Sequence, residues 1–341
     1  MYISPNTSSL GLDVDPLCFR FPFGSGGLIE GIDCVNMARN NLPQAIAACN
    51  LENVSTDERK TYFVVGTAVE LSVEDEPKEG FVQLYEVSEI GGRLRVNRVT
   101  EITVPGSVYC VDECDGKLVC GVGSTVPPSL SHLFPVSLSL CLALSLSAGR
   151  GVSSVDLKVR VYDLTHDNLS EIAIFRAPIT ALTLSTRAPF ILLGDLMKSA
   201  TLLRLDTTIP TKPELATVAR DYAPLWMTSV AILEEGWFLG AEDSGNLVGW
   251  RRDDEGVATG DEVRLVMVQE LRWGELINRI RLGALSPSEI EGVETKALFA
   301  TVDGTIGIIA SLQEARFSLL EKLEKKMEEM DVALGGLVHS R

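Results

Sequence analysis

The sequence predicts an all-β chain, a partial β-propeller of about five blades followed by a C-terminal amphipathic helix. Three observations carry this. From Thr61 to about Gln313, short apolar or alternating runs are separated by turn residues, as in consecutive antiparallel strands. A similar apolar stretch recurs at Tyr62–Gly66, Leu118–Gly121, Phe190–Gly194, Trp237–Gly240 and Ala297–Ala300, near blade spacing except for one long interval. The period then changes to three or four residues, at Phe317, Leu320, Leu323, Met327, Met330 and Leu334.

Taken in order, residues 1–44 form a poorly defined N-terminal segment; Phe21–Gly27 is Gly-rich and reads as irregular, while Pro43–Leu51 has the composition of one more strand. Residues 45–313 are the propeller region, with strands such as Thr61–Leu71, Ser107–Cys114, Lys158–Leu164 and Thr305–Ala310. Gly91-Gly92, Asp115-Gly116, Asp243–Asn246 and Asp303-Gly304 lie between strands and supply the positive φ angles of tight hairpins. Residues 314–334 are the amphipathic helix, expected to pack its apolar stripe on the parent domain, with Gly335-Gly336 as its stop and 335–341 as a tail.

The long interval contains no charged residue between Lys117 and Arg150, and Val136–Ala148 alternates Leu and Ser. Its length invites a membrane-spanning reading. Pro127, Pro128 and Pro135 break its first half, serines dilute the second, and strands flank it, so a spanning helix is disfavoured. A surface insertion within one blade, over residues 126–156, accounts for it structurally. The favoured reading comes from the genetic code: a repeated TC dinucleotide translates as Ser-Leu, and a pyrimidine-rich tract marks the 3′ end of an intron. Val126–Asp156 is therefore expected to be a retained intron or gene-model error, which transcript sequencing tests.

Composition excludes several classes. The 341 residues are 45% hydrophobic, enough to build a core. The net charge of −17, from 47 acidic against 30 basic residues, leaves no basic face for phosphate contacts, so direct nucleic-acid binding is not expected and basic protein partners are. Seven scattered cysteines and an N-terminus without a basic-then-apolar stretch suggest a reducing compartment and no secretion signal. The sequons at Asn6, Asn53 and Asn168 carry no weight in that setting.

Chemistry is sparse. His132, His166 and His339 are the only histidines, and no zinc-protease helix, nucleophile elbow or phosphate loop is present; Gly121-Val122-Gly123-Ser124 lacks the following lysine. Cys110, Cys114 and Cys120 have no paired-ligand spacing and read as buried strand thiols. Glu74–Glu76 and Asp253–Glu255 read as solvated loop charge. No enzyme activity, cofactor or metal is expected. Met197, Trp226, Met227 and Trp273 remain, at turns, as either interaction anchors or plugs between blades.

Several ordered segments resemble one family: Thr61–Ala68 with Glu76–Gly80, Gly116-Lys117-Leu118, Val159–Tyr162, Gly194–Ser199, Ala219-Arg220-Asp221 with Pro224 and Trp226-Met227, Leu239–Glu242, Gly274-Glu275 with Asn278, and Thr301–Gly304 with Ile306-Gly307. Together they are similar to the large subunit of UV-damaged-DNA-binding complexes, over about Ala45–His339. The splicing factor 3b and cleavage-polyadenylation factor large subunits belong to the same superfamily, and an RNA-processing role is the alternative function. The resemblance implies a nuclear and cytoplasmic non-catalytic adaptor of cullin-4 ubiquitin ligases, built from three seven-bladed propellers and a helical domain. It implies that the first and third propellers together clamp a helix of WD-repeat substrate receptors while the second docks the cullin; this chain matches most of the third. Met197, Arg220, Trp226 and Asn278 match that propeller's partner-facing loops. About five blades cannot close the family's seven-bladed ring, so an unpaired edge strand is expected; the first two propellers and the terminal helical domain are not matched, and no cullin contact by this chain alone is expected.

Overall fold

The computed structural model describes residues 2–4, 18–23, 31–36, 40–69, 77–90, 93–123, 158–209, 213–234, 236–253, 263–285 and 292–330. The charge-free segment, and with it the expected insertion at 126–156, lies outside the described residues.

Five successive antiparallel meanders make up the propeller. The first blade is β4 (Asn41–Asn53), β5 (Glu58–Val69), β6 (Gly80–Ile90) and β7 (Arg93–Val104). The second is β8 (Ser107–Cys114), β9 (Lys117–Gly123), β10 (Lys158–Thr165) and β11 (Asn168–Arg176). The third is β12 (Ala181–Arg187), β13 (Phe190–Asp195), β14 (Ala200–Asp206) and β15 (Glu214–Arg220). The fourth is β16 (Met227–Glu234), β17 (Trp237–Glu242), β18 (Asn246–Arg252) and β19 (Leu265–Arg272). The fifth has three strands, β20 (Ile277–Leu282), β21 (Val293–Thr301) and β22 (Ile306–Leu312), followed by helix α1 (Glu314–Met330). A further three-stranded sheet, β1 (Tyr2–Ser4), β2 (Cys18–Phe23) and β3 (Gly31–Asn36), precedes them. Phe21–Phe23 is thus strand where the sequence suggested irregular chain.

The core sits between blades. Four apolar clusters fill the four interfaces of the five blades. Side chains alternate across a strand, so neighbouring residues serve different interfaces: on β13, Ile191 and Leu193 join the cluster shared with the second blade, and Leu192 the one shared with the fourth. Both faces of the second, third and fourth blades are covered, which is why their strands read as near-unbroken apolar runs. Each fully buried Leu of this kind stabilises by roughly 1.5–3 kcal/mol.

The glycine that ends the repeated motif sits in the second strand of its blade. A Cβ on Gly66 would lie 2.4 Å from the Val108 side chain, one on Gly121 3.0 Å from the Ala181 carbonyl, and one on Gly194 2.9 Å from Val230. Each of these partners belongs to the next blade's inner strand, while Cys110 Sγ at 2.5 Å from the Gly121 position and Thr183 Cγ2 at 2.4 Å from the Gly194 position belong to the glycine's own blade, so the absent side chain makes room on both sides. Gly240 instead makes room for the Trp250 ring of its own blade. The fifth copy ends in Ala300, where no sixth blade is described.

Inner strands are also stitched by hydrogen bonds. The Asp112 carboxylate accepts from Thr186 N at 3.0 Å, Ser185 Oγ from Ile232 N at 3.1 Å and Ser229 Oγ from Ile280 N at 3.0 Å, each reaching one blade onward. The β4–β5 hairpin caps the second blade: Glu52 N donates to Gly116 O and Val54 N to Leu164 O, both at 2.9 Å, while the Asn53 side-chain amide donates to His166 O at 2.8 Å. Asp115 and Gly116 take positive φ in that turn, as do Gly245 and Gly304 in theirs.

The helix departs from expectation. Phe317, Leu320, Leu323 and Met327 are exposed and do not pack on the sheets. The outer face of β22 is open as well, with Ile306 71% and Ile308 63% accessible. Among the described residues the fifth blade has no fourth strand and no next blade, and none of them forms a surface that covers the stripe. No helix among the described residues is long and apolar enough to cross a membrane.

Candidate partner-binding rim

In an antiparallel meander every second connection lies at the same end of the sheet. The β13–β14 turn, the β15–β16 loop, the β17–β18 turn, the β19–β20 loop and the β21–β22 turn therefore share one rim. Backbone hydrogen bonds join them in sequence: Ser199 N to Leu225 O at 3.0 Å, Asp243 N to Trp226 O at 3.1 Å, Trp273 N to Gly245 O at 3.0 Å and Val302 N to Leu276 O at 3.0 Å.

Two buried aspartates build this rim. Asp195 accepts from Met197 N and Lys198 N on one oxygen, both at 3.1 Å, and from Ile179 N and Thr180 N on the other, both at 3.0 Å. It thereby fixes the turn that carries Met197 against the preceding blade connection. Burial raises its carboxyl above the usual carboxylate range, and the four N–H donors partly offset this. Asp221 accepts from Ser199 Oγ at 2.6 Å, Trp250 Nε1 at 3.1 Å and Ala223 N at 3.2 Å, which sets the loop that ends in Trp226.

The structure places the four sequence-predicted residues as follows. Met197 is half-buried at the β13–β14 turn. Trp226 lies at the end of the next loop with 38% of its surface accessible. Asn278 is exposed near the start of β20, beside the bulge between Ile277 and Arg279. Arg220 ends β15 and lies farther out, its guanidinium 5.9 Å from the Tyr222 ring centroid. The hydrogen-bonded rim thus brings Met197, Trp226 and Asn278 to one end of the blades and leaves Arg220 at its margin. Met227 is fully buried in the cluster between the third and fourth blades, its sulfur 3.8 Å from Ser199 Oγ, so it is a plug rather than an anchor. Trp273 is 41% accessible and stacks edge-on to Phe299, with ring centroids 5.0 Å apart.

Sequence reasoning missed Tyr222, which is 53% accessible and also has the Arg264 guanidinium 5.4 Å from its ring. Its one signal was an aromatic residue inside the polar turn Arg220–Pro224. Cation–π pairing pre-orders an otherwise mobile aromatic at low entropic cost.

Among the described residues no cysteine near this surface is activated. Cys49, Cys110, Cys114 and Cys120 are buried thiols, and burial pushes Cys110 and Cys114 up to about 12, far from the thiolate. No group of His, Cys, Asp and Glu able to hold a metal occurs among the described residues.

Comparison with known proteins decides the family: residues 29–127 and 138–341 match the CPSF A subunit region. The chain belongs to that family. Among relatives of the CPSF A chain, it is 32% identical over 307 residues to DNA damage-binding protein 1a of Arabidopsis thaliana, covering 86% of this chain and 24% of that protein. DNA damage-binding protein 1 of Solanum lycopersicum is 31% identical over 307 residues, covering 88% of this chain and 25% of that protein. The chain spans about a quarter of the length of the curated relatives it matches. The CPSF A match breaks only at 128–137, within the charge-free segment.

Proposed function

We propose that this chain is a non-catalytic scaffold segment, resembling the adaptor that links WD-repeat substrate receptors to cullin-4 ubiquitin ligases in DNA repair and protein turnover. The observation that supports it is the accessible Trp226, held by the Asp221–Ser199–Trp250 network on a rim that also carries Met197 and Asn278. A half-exposed Trp on a rigid frame is the type of residue that dominates protein interfaces. The relatives' name, DNA damage-binding protein, supports a nuclear setting; cytoplasm is proposed as a second compartment on the resemblance alone. The −17 charge favours a basic partner surface over nucleic acid. Arg220 contributes at the margin, and cullin-4 is not recruited by this chain alone.

The test is affinity purification of the chain and of Trp226→Ala from nuclear extract. WD-repeat receptors recovered with the wild type, and lost at least about tenfold with the variant, are expected. Equal recovery by both would remove Trp226 from the interface. The alternative reading is a subunit of pre-mRNA splicing or 3′-end processing complexes of the same superfamily. Recovery of RNA-processing subunits in place of receptors would select it.

A further inference from the structure

The inner strands of all five blades surround an axial cavity of about 340 Å³. Its wall includes Asp112, Ser185, Thr186, Ser229, Arg279 and Arg281. Hydrogen-bond donors are in excess there. Asp112, the one carboxylate among these, is already taken: one oxygen accepts from Glu113 N, the other from Thr186 N and Thr186 Oγ1, all at 3.0 Å. Ser185 and Ser229 each accept a backbone N–H, so what each has left is an O–H proton, and neither proton has an acceptor among the described residues.

The two arginines are the larger surplus. They stand two apart on β20, on the same side of the strand, and neither forms an ion pair with a described residue. Desolvation at the cavity wall lowers Arg279 from its usual range, and the Arg281 charge lowers it further, with Asp112 opposing. Both side chains are exposed, and an anion between the two guanidiniums would relieve that repulsion and take the place of water as their acceptor. The exterior of a chain at −17 offers an anion little else to bind.

We propose that this axial cavity binds a small, multiply charged oxyanion of the phosphate or carboxylate class, clamped by Arg279 and Arg281 with Ser185 and Ser229 as neutral donors. A bound anion would tie β20 to the inner strands across the axis, so occupancy stabilises the five-blade array as a whole.

The test uses the full chain, inorganic phosphate as probe and malonate as competitor, at constant ionic strength. Phosphate is expected to raise the unfolding midpoint by about 2–4 °C over chloride, and the phosphorus resonance is expected to broaden in the presence of protein. Arg279→Gln/Arg281→Gln abolishes both effects, and Arg272→Gln on the exposed end of β19 leaves them intact. Relief of the broadening by malonate assigns the site to oxyanions generally, and persistence assigns it to phosphate; both support the proposal. A phosphate line as narrow with protein as without it, or equally broadened by the double variant, overturns it. Should the double variant fail to fold, Arg281→Gln alone decides, by an affinity loss of about tenfold or more.

Discussion

The Asp221 carboxylate accepts the indole N–H of Trp250 at 3.1 Å, across the interface between the third and fourth blades. It holds the Ser199 hydroxyl at 2.6 Å on the same oxygen. Trp250 and Ser199 are fully buried, so water cannot replace the carboxylate if it is removed. Asp221→Ala leaves two buried donors and the Ala223 N–H unsatisfied and is expected to cost about 2–4 kcal/mol. Urea unfolding followed by tryptophan fluorescence measures it, and a loss below about 0.5 kcal/mol would show that the network is not structural.

Blade spacing gives a paired test. A Cβ on Gly194 would stand 2.4 Å from Thr183 Cγ2 and 2.9 Å from Val230 Cγ1, inside a packed interface. Gly194→Ala should therefore destabilise by about 1–3 kcal/mol. Ala300 holds the corresponding place in the fifth blade, half-buried and without a further blade beside it among the described residues. Ala300→Gly should cost only about 0.5–1 kcal/mol, the ordinary backbone effect. Equal costs for the two substitutions would refute close blade approach as the reason for glycine.

Burial raises the carboxyls of Asp195, Asp112 and Glu242 above their ordinary values. A raised carboxyl binds a proton more tightly folded than unfolded, so its contribution to stability grows as pH falls through the folded value toward the unfolded one. Asp195→Asn removes that response at one site. From pH 7 to about pH 4, the wild type should gain stability relative to Asp195→Asn. A constant difference across that range would show that Asp195 titrates normally.

Much of this architecture was legible because a blade covered on both faces leaves a strong trace, an apolar run closed by glycine. All five runs proved to be second strands of blades. Asp115-Gly116 was readable as a turn because positive φ restricts the residue type. The rim was harder. Asp195 and Asp221 act by accepting from backbone N–H groups, the Ser199 hydroxyl and the Trp250 indole, partners that no local pattern reveals. Met227 looked like a turn residue because β16 begins at it, and it is buried in a cluster with residues distant in sequence, such as Leu192 and Trp250. The helix misled for the opposite reason: a correct apolar period says where a stripe lies, not whether a surface exists to receive it.

The open face of the fifth blade yields the last prediction. On β22, Ile306 and Ile308 point the same way and are mostly accessible, and β22 pairs only with β21 among the described residues. An exposed apolar face beside an unpaired strand edge is a template for association with another chain. Ile306→Lys/Ile308→Lys puts charge on that face without entering a core cluster, so fold stability should change by less than about 0.5 kcal/mol per site. Size-exclusion chromatography with light scattering should show the wild type self-associating with rising concentration and the double variant shifted toward monomer. If the variant instead unfolds several degrees earlier with unchanged mass, these isoleucines pack within the chain and the face is not an association surface.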